Sequence, residues 1–148
     1  MTQRARFEAA YRATSYRVLD GGRLACELRI GRPSPSFDAL ARASGSTRAV
    51  FLTAANPRGE AHPEPANLDR NAALDAALDA GGWTRLEGWG VPDATGWAPE
   101  PSRLVLDLPR AAALTLARRF EQVAWVDIEL GGPARLVFTE EAGDAPSA

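Results

Sequence analysis

The order of apolar patterns between residues 48 and 130 constrains this chain more than any other feature of it. Residues 48–54, with Val50, Phe51 and Leu52 in succession, read as a buried strand. A polar loop over 56–64 follows, then a helix over about 66–80 whose apolar stripe includes Leu74 and Leu78 and whose end is marked by Gly81-Gly82. Residues 83–89 form a second strand, 90–101 a long loop and 102–108 a third strand. Pro109 suits the first turn of a helix running to about Glu121, and Asp107 favours its N-terminus. Residues 123–130 and 134–138 make two more strands joined at Gly131-Gly132-Pro133. From 48 to 130 the order is therefore β-α-β-β-α-β.

The flanks add to this unit. Phe7, Ala10 and Tyr11 lie at helical spacing, and residues 16–19 begin a strand that turns at Asp20-Gly21-Gly22. Residues 23–30 alternate, with Leu24, Cys26, Leu28 and Ile30 on one side and Arg23, Ala25, Glu27 and Arg29 on the other, which is a half-buried strand carrying Cys26 as a small apolar side chain. Residues 31–35 break the chain, Ser36 caps a short helix through Ala43, and Gly45 ends it. The expected fold is α+β: a ferredoxin-like (split βαβ) core, helices on one face of a largely antiparallel sheet, with an N-terminal helix/strand addition and an extra C-terminal strand. Residues 1–138 are one domain, a size that suits a 148-residue chain. The remainder, 139–148, lacks apolar anchors and reads as a disordered tail.

The chemistry such a domain can carry is narrowed by what it lacks. All 17 basic residues are arginine, and there is one histidine, His62, and one cysteine, Cys26. Without lysine there is no Schiff base, phosphate-cradling lysine or Ser-Lys dyad, and with one His and one Cys no His/Cys zinc cluster can form. No metal and no cofactor are expected. The net charge of −2 argues against a nucleic-acid partner. Ten arginines and five acids lie in residues 1–60, against seven and fourteen in 61–148, so an arginine-bearing face is conceivable, although folding ordinarily interleaves such charges. The lone cysteine suits a reducing compartment. No apolar region follows the N-terminal arginines, and the longest strongly apolar run, 111–117, is too short to span a bilayer. A soluble, cytoplasmic protein without a membrane partner is the expectation.

Several polar residues occupy positions where a binding site would form. Stepping back from Leu74 and Leu78 by helical spacing places Asn67 and Asn71 on the same core-directed stripe. Buried amides need partners. Asn67 capping the first turn and Asn71 tying down the preceding loop is the structural reading; a polar pocket with Arg70 beside the amides is the functional one. Asn56 stands where the chain leaves the first strand, and the Asn56-Pro57 pair is also a routine turn. Glu100 lies between Pro99 and Pro101, near Trp97, where it is either an exposed loop residue or an acid/base with a raised pKa. Gln122 can cap the preceding helix or join the polar set. His62 is the lone candidate imidazole base and reads as a solvent-facing loop residue, and the tryptophans read mainly as packing.

Taken together, the segments Phe51-Leu52-Thr53-Ala54-Ala55-Asn56-Pro57, Asn67 with Arg70-Asn71, Trp97-Ala98-Pro99-Glu100-Pro101-Ser102 and Phe120-Glu121-Gln122-Val123-Ala124 resemble, in order and spacing, the bacterial family called domain of unknown function 3293. The likeness runs from about Tyr11 to Phe138, and the Thr-Ala-x-Asn-Pro element is its most specific part. Ala55 stands where an aromatic is expected in many members, and Glu121-Gln122-Val123 where Gly-Gln-Asn is common. The family supplies no activity. The resemblance implies one constellation of Thr53, Asn56, Asn67, Arg70, Asn71, Trp97, Glu100 and Gln122.

Three functions compete on this reading. The first is a small binding or regulatory module whose pocket, lined by Asn56, Asn67, Asn71, Glu100 and Gln122, accepts a small polar metabolite or a peptide terminus. The second is a metal-independent enzyme with Glu100 as general acid/base, Arg70 as anion partner and Asn56 with Gln122 as orienters. The third is a protein-protein interaction module using the C-terminal strand edge or an arginine-bearing face. In each ligand-based case the three asparagines must gather at one end of the sheet, with the loop carrying Trp97 and Glu100 folded over them.

Overall fold

Gly21 and Gly22 have φ of +58° and +80°, the left-handed pair that a two-residue hairpin turn requires. They fold β1 (Thr14–Asp20) back onto β2 (Arg23–Leu28) in the computed structural model of the protein, which describes residues 1–143. Helix α1 (Gln3–Arg12) precedes the hairpin and is capped by Thr2, whose hydroxyl accepts the Ala5 N–H at 3.1 Å. Helix α2 (Pro35–Ser44) follows it. Ser34, not Ser36, caps α2: its hydroxyl accepts the Phe37 N–H at 3.1 Å, with Pro35 in the first turn, while the Ser36 hydroxyl accepts the Glu27 N–H instead.

The remaining elements are β3 (Arg48–Leu52), a single 3₁₀ turn (Pro57–Gly59), α3 (Glu64–Ala80), β4 (Arg85–Pro92), β5 (Glu100–Leu106), α4 (Arg110–Arg119), β6 (Ala124–Glu129), β7 (Arg135–Phe138) and a short α5 (Thr139–Ala142). Several boundaries shift against expectation, and two of the shifts bear on the site. Pairing with β1 and β5 carries β4 on to Pro92 and starts β5 at Glu100, so the expected long loop shrinks to residues 93–99. The tail begins as α5, with Thr139 and Ala142 buried because the chain turns back onto α4. Residues 144–148 of the expected tail lie outside the described residues.

All seven strands form one antiparallel sheet in the order β2-β1-β4-β5-β3-β6-β7. The sheet curls until its ends meet: Ile30, just after β2, bridges Ala134, just before β7, and the Gly31 N–H donates to Ala134 O at 2.8 Å. Strand β3 is apolar on both faces, and its side chains divide between two cores. Ala49 and Phe51 join Val18, Cys26, Leu28, Leu104 and Val126 on the concave side, while Val50 and Leu52 join Leu74, Leu78, Val105, Ala117 and Trp125 on the other. A sheet apolar on both faces must be covered on both. Helices α3, α4 and α5 cover the second face, whereas Phe37 and Ala41 of α2 and Tyr11 of α1 cover the concave one. Helices on a single face, as the element order suggests, would have left Phe51 and Leu104 in water.

Folding also dissolves the charge asymmetry. Arg4, Arg29, Arg48 and Arg58 of the basic first part pair with Glu141, Asp93, Asp127 and Glu121 of the acidic second part. Among the described residues no helix is long and apolar enough to cross a membrane.

Candidate functional site

Strand β3 ends at Leu52, and the next four residues are held by side chains rather than by a sheet. Thr53 Oγ1 donates to Pro101 O at 2.7 Å and accepts the Ala55 N–H at 3.0 Å. Asn71, 1 % exposed, accepts the Ala54 N–H at 3.0 Å and donates to Pro101 O at 3.1 Å. Arg70 donates to Ala54 O and to Phe120 O, both at 2.6 Å. Gln122 Nε2 donates to Ala55 O at 3.0 Å and to Phe120 O at 3.1 Å. A non-regular segment inside a protein has to find partners for its backbone groups, and these four side chains supply them.

Asn56 comes next, in the left-handed conformation (φ +49°) that asparagine tolerates better than most residues. It forms a reciprocal pair with Asn67: the Asn56 N–H donates to Asn67 Oδ1 at 2.9 Å, and Asn67 Nδ2 donates to Asn56 Oδ1 at 2.9 Å. Asn56 Oδ1 also accepts the His62 N–H at 3.0 Å, and Asn67 Nδ2 also donates to His62 O at 3.2 Å. Asn67 therefore does not cap α3; it clamps the loop between Asn56 and His62. The other end of the Asn56 amide, Nδ2, donates to Glu100 Oε2 at 2.8 Å.

Glu100 reaches Asn56 because of β4. Across the sheet Tyr16 pairs with Gly90 and Gly90 with Glu100, so a residue without a side chain separates the two. The Tyr16 hydroxyl donates to Tyr11 O at 2.9 Å, and the ring meets Phe51 edge-on. Burial pushes the Glu100 carboxyl above its ordinary pKa, partly offset by the Asn56 amide. Burial also raises both tyrosines, and the nearby Glu100 charge adds to the rise. Tyr11 and Tyr16 were not among the residues singled out from the sequence, where both read as ordinary apolar positions; the signal lay in the register, with Gly90 set between Tyr16 and Glu100.

Seven of the eight residues of the constellation thus meet at one end of the sheet. Trp97 does not: it is 72 % exposed and makes no side-chain hydrogen bond among the described residues. Two further expectations need correction. Arg70 is committed to two main-chain carbonyls and is not a free anion partner; at Phe120 it meets the C-terminal end of α4, where a cation opposes the helix dipole. The asparagines also do not line the concavity beside them, because their amides are turned inward on the chain.

That concavity, a cleft of about 490 Å³, lies next door. Its walls come from α1 (Arg4, Phe7), the 3₁₀ turn (Arg58), the end of α4 (Arg118, Glu121, Gln122, Val123) and the β7–α5 junction (Phe138, Glu140, Glu141). Gln122 alone belongs to both the network and the cleft. The chain turns there because Glu121 takes a left-handed φ of +55° while the Gln122 N–H returns to Ala117 O at 2.8 Å and the Glu121 N–H to Arg118 O at 3.2 Å, a Schellman closure of α4. A left-handed φ is a conformation that glycine adopts more readily than glutamate. Arg58, Arg118 and Glu140 escaped the sequence reading because nothing in their spacing connects a turn, a helix end and a C-terminal segment.

Among the described residues no group of three His, Cys, Asp or Glu side chains is placed to hold a metal ion. No curated protein and no solved structure matches the chain. A family profile described as "Protein of unknown function (DUF3293)" matches residues 52–125, from the end of β3 to the start of β6, a span that contains all eight residues of the constellation. The chain belongs to the DUF3293 family.

Proposed function

We propose that this protein is a binding module whose ligand, a small metabolite or peptide terminus, enters the cleft between α1, the 3₁₀ turn, α4 and α5. The observation that carries the reading is Gln122, buried to 6 % exposure, which joins the cleft to the bonded network of Thr53, Asn56, Asn67, Arg70 and Asn71 behind it. The volume of about 490 Å³ falls within the roughly 300–1,000 Å³ usual for ligand sites. The network's part is to hold the wall rigid, since preorganised groups lose less entropy when a ligand arrives. A cytoplasmic setting accords with the single free cysteine, and the order β4-β5-β3-β6, with α3 and α4 on one face, favours a split βαβ unit within one domain that extends past the expected boundary at 138 to include α5.

Chemical-shift mapping of the isotope-labelled protein against amino acids, nucleotides, sugars and organic acids tests this reading. Shifts gathering on Phe7, Arg58, Gln122, Val123 and Phe138 are expected for at least one class. Shifts confined to other surfaces, or none at millimolar ligand, would remove the reading.

One observation favours a second reading, an enzyme with Glu100 as general acid/base: its carboxyl is raised by burial and bonded through one oxygen to Asn56. The cleft does not reach Glu100, which is why binding is preferred. An activity abolished by Glu100→Gln in a folded protein would reverse that preference.

A further inference from the structure

We infer that the cleft takes a zwitterion of the amino-acid type with an aliphatic or aromatic side chain; this rests on the proposal that the cleft is the binding site and names what fills it. The inference starts from one atom. Gln122 Nε2 faces two carbonyl oxygens, Ala55 O and Phe120 O, so the amide nitrogen is assigned to that side and Oε1 to the other. The main chain of Gln122 is also satisfied, its N–H by Ala117 O and its carbonyl by the Thr139 hydroxyl. Oε1 is left as an acceptor with no donor among the described residues, on a side chain that lines the cleft. A ligand that reaches Oε1 can donate an N–H or O–H to it.

The charges around this atom narrow the ligand further. Arg4 is held by Glu141 at 2.6 Å and Arg58 by Glu121 at 2.7 Å. Arg118, in the last turn of α4, and Glu140, in α5, line the same cleft and have no ion-pair partner among the described residues. A cleft in which Arg118 and Glu140 have no ion-pair partner among the described residues is poorly served by a ligand of single charge, which would leave the other group facing a ligand of the wrong kind. A zwitterion answers both, its carboxylate on Arg118 and its ammonium shared by Glu140 and Gln122 Oε1. Phe7, Val123 and Phe138 supply apolar wall, which suits a hydrocarbon side chain and not a sugar.

The test titrates the full chain with leucine and phenylalanine, with N-acetyl-leucine and leucine methyl ester, each of which lacks one of the two charges, and with a dicarboxylate, a sugar phosphate and a nucleotide, reading amide shifts at the cleft. The free amino acids are expected to saturate, and each derivative to bind at least about tenfold more weakly, the loss of one charge-assisted contact. Arg118→Gln, a surface change checked for unchanged thermal unfolding, is expected to weaken leucine by a similar factor while leaving the methyl ester unaffected. Equal affinity for leucine and its derivatives, or no effect of Arg118→Gln, would overturn the inference. Saturation of the cleft by one of the other compounds with silent amino acids would overturn it too, yet leave the binding module standing. Silence of the cleft towards every compound would defeat both.

Discussion

Replacing Asn71 by alanine tests the view that the asparagines are main-chain partners before they are anything else. Asn71 is 1 % exposed and holds the chain on two sides, at Ala54 N–H and Pro101 O. The variant orphans the Ala54 N–H in a residue that is fully buried, a cost of about 1–3 kcal/mol. Pro101 O loses one donor but keeps the Thr53 hydroxyl at 2.7 Å, so that loss is nearer to an ordinary hydrogen bond, about 0.5–1.5 kcal/mol. The expected destabilisation is about 2–4 kcal/mol, read as a lower urea midpoint with an unchanged m-value. Sharing of Pro101 O gives a sharper consequence. Thr53→Val alone should cost about 2–4 kcal/mol, since it orphans the buried Ala55 N–H as well as removing one donor from Pro101 O, and the double variant should exceed the sum of the two by about 1 kcal/mol, because Pro101 O then has neither side-chain donor. An Asn71→Ala loss below about 0.5 kcal/mol, or strict additivity with Thr53→Val, would refute the reasoning and return Asn71 to the list of groups free for a ligand.

Other outcomes follow from the same geometry. Burial places the Glu100 pKa in the folded chain above its ordinary value of 4.5, so the folded state binds this proton more tightly than the unfolded one. That contribution is complete below the ordinary value and is lost as pH rises through the folded pKa; Glu100→Gln should flatten this fall in a series of urea midpoints from about pH 4 to about pH 8, and an unchanged slope would contradict it. Gly88→Ala sets a Cβ 2.7 Å from Phe51 Cε2 and 3.0 Å from Arg17 O, and should lower stability by about 1–3 kcal/mol in calorimetric melting. Cys26 is buried with its thiol pushed up to about 12, so a disulfide-exchange reagent should label it at the rate of unfolding and not before; prompt labelling of the folded protein at pH 8 would count against the packing described here.

Much of this molecule was legible from residue order alone. The β-α-β-β-α-β succession, the Gly21-Gly22 hairpin, Cys26 in an apolar row and the asparagines at 67 and 71 on the stripe of Leu74 and Leu78 all follow from local periodicity and turn chemistry, which act over a few residues and leave their mark in the sequence. Even the gathering of Asn56, Asn67 and Asn71 was implied, since a strand's end and the next helix's start are neighbours in space. What those amides do was not. Whether a buried amide faces a ligand or a carbonyl depends on which backbone groups the tertiary fold leaves unpaired, and only the assembled chain shows Ala54, His62 and Pro101 claiming them. Tertiary structure also decided that helices cover both faces, because the curl of the sheet, closed by Ile30 and Ala134 a hundred residues apart, creates a second core that no local pattern announces. The cleft is the clearest case: it is made of one residue group from each of four distant segments, and residues brought together by long-range packing carry no spacing by which a sequence could reveal them.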